Sequence, residues 1–183
     1  MTIWITSDTH FFHAKIVEYC PDTRGQFKDS DEMSEALLSY WVDTVKPTDD
    51  IYVLGDLAMG RKERLYDLLP KLTGRIHLIL GNHDYRIKKE KNLHEYFVCV
   101  EKVKSISINK QKIVMMHYPI AFWEDMGHGS IMAHGHCHGD PTGLSGRIKD
   151  VGVDTNNFKF YNMEDLIVEM QKIPVTRDRH GDI

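Results

Sequence analysis

Cysteine is scarce in this chain: three residues in 183, at Cys20, Cys99 and Cys137. So few and so scattered, they exclude a disulfide framework, and no Cys-x-x-Cys pair offers a structural zinc clasp. A reducing, cytoplasmic compartment is the expectation. Long hydrophobic runs are missing too. None approaches the ~20 apolar residues that cross a bilayer, and the N-terminus shows no charged stretch followed by an apolar core, so neither a membrane span nor a secretory leader is expected. There is no basic excess: 23 Lys and Arg stand against 27 Asp and Glu, a formal net charge of -4. That balance argues against an extensive nucleic-acid surface, although bound cations would reverse the field locally and admit a phosphate. Repeats, low-complexity tracts and linkers are also absent. Residues 1–183 are therefore read as one domain, long enough to bury well over half of its extended surface.

What is present is an alternation of short apolar runs with helical patterns. Strands are predicted at 2–6, 51–54, 75–80, 112–117, 130–134 and 147–153. The clearest helix covers 31–45, where Met33, Ala36, Leu37, Tyr40, Trp41 and Val45 share a face. Asp29 and Glu32 before it form a plausible capping box, and Pro47 closes it. Further helices are predicted at 61–70 and 163–172. Between Val103 and Met116, an alternating run, Asn109-Lys110 and a second run read as a β-hairpin with a weak turn dipeptide. The plan is βαβ-like at first and more antiparallel later: an α/β (α+β) fold of two packed mixed β-sheets flanked by helices.

Eleven histidines is a high count, and their placement gives it meaning. His77 and His94 sit in ordinary element patterns and read as structural, while His180 lies in a charged, fraying tail. Six of the others join Asp and Asn just after apolar runs. Asp8 and His10 follow Ile3-Trp4-Ile5, Asp56 follows Ile51-Tyr52-Val53-Leu54, and Asn82-His83-Asp84 follows Ile76 to Leu80. His117 follows Ile113 to Met116, and His134, His136 and His138 follow Ile131-Met132-Ala133. At alternate positions of a strand these three last histidines would share one face. In open α/β sheets the ligand crevice lies at the carboxyl ends of the strands. Each piece alone is weak. Together they describe a pocket able to hold two divalent ions.

The order Asp8-x-His10, Gly55-Asp56, Gly81-Asn82-His83-Asp84, His117 and Gly135-His136-x-His138 resembles the calcineurin-like metallophosphoesterase superfamily. Ser7 to His13 and Thr23-Arg24 look like its small single-domain bacterial and phage members. The resemblance implies a β-sandwich with a binuclear centre at one edge. One metal would be held by Asp8, His10, Asp56 and His138, the other by Asp56, Asn82, His117 and His136, with Asp56 bridging. Oxygen and imidazole donors suit manganese first, with iron, zinc, nickel or cobalt also accommodated. A metal-bridging hydroxide would attack phosphorus, and His83 would act as general acid. Asp84 would orient the His83 imidazole and keep it protonated. Arg24 is a candidate phosphate clamp, or an ordinary surface arginine, and His13 and His134 are further candidate substrate contacts. Phe122 and Trp123 either line the pocket mouth or pack the core.

Departures from the broad family narrow the substrate class. Asp56 is followed by Leu57-Ala58-Met59-Gly60-Arg61 without Asp-Arg-Gly, and Asp84 stands where protein phosphatases carry Glu, so a protein phosphatase is disfavoured. The expected activity is a phosphodiesterase or phosphatase acting on small or nucleotide-derived phosphoesters. The competing readings are a non-catalytic binding module on the same fold and a metallo-β-lactamase-type hydrolase, the latter suggested only by His134-x-His136-x-His138. Oligomeric state is not legible.

Overall fold

Two mixed sheets form the centre of the computed structural model, which describes residues 1–176. The tail that contains His180 lies outside the described residues. In the first sheet β1 (Ile3–Thr6), β2 (Asp50–Val53), β3 (Arg75–Ile79) and β4 (Cys99–Glu101) run parallel. The second holds β5 (Val103–Ile108), β6 (Gln111–Met116), β7 (Ile131–His134) and β8 (Ile148–Asp150) in that order, antiparallel only between β5 and β6. β9 (Tyr161–Asn162) returns antiparallel to β1 and closes the first sheet. This is the two-sheet arrangement expected from the sequence.

The unbroken apolar run at 51–54 has no period because both faces of its sheet are covered. Side chains alternate across a strand. Ile51 and Val53 pack with Leu37, Trp41, Leu65 and Leu68 on the helical side. Tyr52 and Leu54 meet Ile113, Met115, Ile131 and Ala133 of the other sheet. Each such side chain stabilises by roughly 1.5–3 kcal/mol when fully buried. β5 is different: Ile106 and Ile108 pack inward while Ser105 and Ser107 are exposed, which is the alternation seen in the sequence. Asn109 and Lys110 both take positive φ (48° and 67°), so the hairpin closes through the mirror-image turn that matches strand twist.

The helices cover the outer faces. α1 (Ile16–Tyr19) and α2 (Pro21–Arg24) occupy the long connection after β1 and are too short for periodicity to predict. α3 (Ser30–Thr44) buries Met33, Leu37 and Trp41, spaced by four. Asp29 Oδ1 caps it by accepting from Asp31 and Glu32 N–H, but the box is not reciprocal: Glu32 accepts from Lys28 N–H instead. α4 (Lys62–Leu68) passes into a 3₁₀ turn at 69–71 that contains Pro70. α5 (Tyr85–Lys89) follows the loop after β3. α6 (Met163–Gln171) is capped by Asn162 and buries Met163, Leu166, Ile167 and Met170 on the inter-sheet core.

Two sequence expectations shift. The strand predicted to 153 ends at Asp150, whose carboxylate accepts from Gly152 N–H and turns the chain into a 3₁₀ turn at 153–155. β4, an edge strand of three half-buried residues, was too short to be predicted. His77 stacks on Tyr52 and bonds Asp50, and His94 bonds the Ile87 carbonyl, so both are structural. Trp123 packs in a small cluster outside the second sheet, whereas Phe122 is exposed. Among the described residues no helix is long and apolar enough to cross a membrane.

Candidate metal centre

The loops leaving the carboxyl ends of β1, β2, β3, β6 and β7 meet at one edge of the sandwich. Asp8 N–H donates to the Gly55 carbonyl (3.0 Å), His10 N–H to the Asp56 carbonyl (2.9 Å) and Gly135 N–H to the His117 carbonyl (2.9 Å). These bonds tie the loops to one another rather than to solvent. Backbone strain is concentrated here. Asp8, His10, Asp56, His136 and His138 take φ of 55°, 50°, 53°, 70° and 49°, a region that side chains other than glycine seldom occupy. Such conformations cost on the order of 1–3 kcal/mol each and persist only where surroundings enforce them. Here the enforcement comes from His136 N–H on Asp8 Oδ2 (2.9 Å) and His83 N–H on Asp56 Oδ1 (2.8 Å). Gly135 is required by close approach: a Cβ there would collide with Ser7 Oγ and Asp8 Oδ2.

Side-chain donors converge on two neighbouring points. Around the first, His10 Nε2 lies 3.8 Å from Asp8 Oδ1, 3.7 Å from Asp56 Oδ2 and 3.3 Å from His138 Nε2. Around the second, His117 Nε2 lies 3.5 Å from Asp56 Oδ2 and 3.0 Å from Asn82 Oδ1, and the His136 ring is centred 5.1 Å from that of His117. Asp56 Oδ2 belongs to both. The donor set fits divalent ions on its own chemistry. Asp8 Oδ1 is buried without a hydrogen-bond partner, and the Nε2 atoms of His10 and His138 face each other at a distance that leaves a proton or an ion between them. Three-residue ligand groups are present in Asp8, His10, His138 and in Asp8, Asp56, His117.

Electrostatics point the same way. Burial pushes the Asp8 carboxyl up to about 7 despite the nearby His138. Burial also drives His10 well below the ordinary histidine value, with Arg24 and the neighbouring imidazoles adding to the effect. His136 is lowered by burial and by His117. Burial lowers His138 as well, but the hydrogen bond from its Nδ1 to Asp154 prevails and carries it up to about 10. Asp8 and His138 thus favour protons that an ion held between them would have to displace.

Three expected roles are corrected. Asp84 does not orient the His83 imidazole. Its buried carboxylate accepts from Gly81 N–H (2.8 Å), Asp56 N–H (2.9 Å) and Leu57 N–H (3.0 Å), clipping the loops after β2 and β3 together. Arg24 is neither a phosphate clamp nor a surface residue. It is fully buried, with its guanidinium forked onto Asp154 and donating to the Asp8 carbonyl at 2.6 Å. His134 does not share a face with His136 and His138, because β7 ends at His134 and the later pair sits in positive-φ loop positions. The His134 ring is buried, bonds the Gly135 carbonyl and lines a different cavity. His13 does join the site: its ring is 5.6 Å from that of His83, on the wall of the same cavity.

Asp154 is the residue that sequence reading missed. Its Oδ2 accepts from His138 Nδ1 (2.7 Å) and Arg24 Nη2 (2.6 Å), while Oδ1 accepts from Arg24 Nε (2.9 Å) and from Thr23 Oγ1. Bound this way, Nδ1 keeps its proton and the free Nε2 faces Asp8 and His10, the orientation a metal-ligating histidine needs. The only sequence signal was an acidic residue just beyond a strand end.

A two-sheet sandwich with Asp, His and Asn donors gathered at shared strand ends defines a class, the metal-dependent hydrolases. Within it, the model of the calcineurin-like phosphoesterase family matches residues 1–168, and the chain belongs to that family. The uncharacterized protein MJ1445 of Methanocaldococcus jannaschii is 30% identical over 183 residues, covering 96% of this chain and 94% of that one. The gene 66 protein of Mycobacterium phage L5 is 27% identical over 182 residues, covering 82% and 86%. The crystal structure of AQ665 from Aquifex aeolicus, a protein of unknown function, is similar with a TM-score of 0.71 at 25% identity, over 90% of this chain and 97% of that one. The protein is a metal-dependent phosphoesterase, a hydrolase of phosphoric esters, and its family implies divalent metal ions. The metallo-β-lactamase-type and non-catalytic readings are thereby set aside.

Proposed function

We propose that the protein hydrolyses small or nucleotide-derived phosphoesters, as a phosphodiesterase or phosphatase, at a binuclear centre bridged by Asp56. Asp8, His10, Asp56 and His138 would hold one ion, and Asp56, Asn82, His117 and His136 the other, with manganese the best match to this donor set. The single observation that carries the reading is that Asp56 Oδ2 stands 3.5–3.9 Å from Nε2 of His117, His10 and His83. When bound, the ions supply Lewis acidity and an acidified water. The chain's own residues supply the rest. His83 is half-buried at the cavity mouth, close to Asp56 and bonded to it through its backbone N–H, so its imidazole is placed to protonate the departing oxygen. Asp84 holds the loop carrying His83 rather than its ring. The cavity, about 520 Å³ and walled by His13, Tyr19, His83, His136 and Pro141, has the size for a small ester. His13 is a substrate contact there.

The test is hydrolysis of bis-p-nitrophenyl phosphate and p-nitrophenyl phosphate by metal-stripped protein, with each candidate ion returned in turn. Manganese is expected to restore turnover of at least one ester, and Asp56→Asn to remove it. No turnover with manganese, iron, zinc, nickel or cobalt overturns the proposal.

A further inference from the structure

Asn82 stands between two cavities. One is the site above. The other, of about 380 Å³, is lined by Tyr85, Lys88, Lys102, Met116 and Tyr118 together with Asn82 and its neighbours Leu80 and Gly81. Among the described residues no carboxylate lines it, although acids outnumber bases in this chain. Lys88 projects from α5 and Lys102 from the β4–β5 connection, and both are exposed. Among the described residues neither lysine has an ion-pair partner, and Glu101, next to Lys102, is taken by Lys104 at 2.7 Å. Tyr118 joins the two cavities: its hydroxyl lies 3.4 Å from Asn82 Oδ1, and its ring is centred 4.8 Å from that of His136. Tyr118 and Tyr85 are themselves exposed, 38% and 49%.

We infer that this second cavity is a substrate subsite for a further phosphate group, so that the preferred esters carry a second phosphate on the side of the scissile one that faces Asn82 and Tyr118. The inference rests on the phosphoesterase reading and adds the substrate class to it. Two ammonium groups with no acid beside them among the described residues attract an anion and gain from its arrival. His83 opens onto the other cavity, so the subsite holds the part of the substrate opposite the departing oxygen. The tyrosine rings would lie against the ring or sugar joining the two phosphates.

The experiment compares thymidylyl-thymidine with the same dinucleotide bearing a 5′- or a 3′-terminal phosphate, using manganese-loaded wild type and the Lys88→Ala/Lys102→Ala double variant. One phosphorylated dinucleotide is expected to exceed the plain one by about tenfold in kcat/KM, the equivalent of about 1.4 kcal/mol shared by two contacts. That ratio should fall toward one in the double variant and in high salt, with KM carrying the change. A ratio near one in wild type, or one unaltered in the variant, overturns the subsite. Titration calorimetry of adenosine 3′,5′-bisphosphate against adenosine 5′-monophosphate reads the same preference without turnover, and equal affinities also overturn it. Cleavage of bis-p-nitrophenyl phosphate separates the two failures. If it persists while the ratio is one, only the subsite falls. If it is absent, the hydrolytic reading falls and calorimetry alone judges the subsite.

Discussion

Replacing Asp154 by Asn perturbs fold and site through one carboxylate. The wild-type side chain is 1% exposed and accepts from four donors on Arg24, His138 and Thr23. Arg24 is fully buried and, among the described residues, has no other carboxylate within reach of its guanidinium. An amide in place of one oxygen keeps a single acceptor and points N–H groups at N–H groups. Removing one partner of a buried ion pair costs about 3–5 kcal/mol, and the retained oxygen puts Asp154→Asn near the lower figure, about 3 kcal/mol. With a urea slope of about 2 kcal/mol/M, the unfolding midpoint of the metal-free protein falls by about 1.5 M. The sign with pH follows from the direction of the shift. Burial raises Asp154, but its bonds to His138 and Arg24 prevail and hold it well below the ordinary 3.8. Its stabilisation is therefore complete above that ordinary value and disappears as pH falls through the depressed one, so the gap between wild type and variant closes in acid. Metal affinity at the ion shared by His138 should weaken by about 10–100-fold, because Nδ1 loses its fixed acceptor. A midpoint change under about 0.5 M at neutral pH would refute the assignment of Arg24 and Asp154 as a buried pair.

His83→Ala should leave metal content intact and lower turnover by about 10²–10⁴ for esters with poor leaving groups, and far less for nitrophenol. Equal losses for both would remove its acid role. Gly135→Ala should displace Asp8 or Ser7, and calorimetry should show weakened metal binding even where circular dichroism shows an intact fold. Metal binding at neutral pH should release protons from Asp8 and His138, raised to about 7 and about 10 without ions. Repeating the titration in buffers of different ionisation enthalpy measures that release.

The parts of the molecule legible in the sequence are those where one element carries the whole signal. Apolar runs ending in polar donors marked β1, β2, β3, β6 and β7 and the residues just beyond them, because strand ends and loop starts are local. The helix at 30–44 was legible because Met33, Leu37 and Trp41 bury one continuous face. What failed depends on distant partners. The acceptor for Arg24 lies 130 positions away, so a buried fork looked like a clamp or a surface residue. Asp84 was read beside its neighbour His83, but backbone donors from another loop claim it. The alternation at His134, His136 and His138 was read as strand, yet the strand stops and positive φ takes over.

Crystals grown with manganese and measured at its absorption edge test the centre most directly. Two anomalous peaks should flank Asp56, about 3.5–4 Å apart, one beside His10 and His138 and the other beside His117 and Asn82. Peaks elsewhere, or a single ion with Asp56 uncoordinated, would contradict the account.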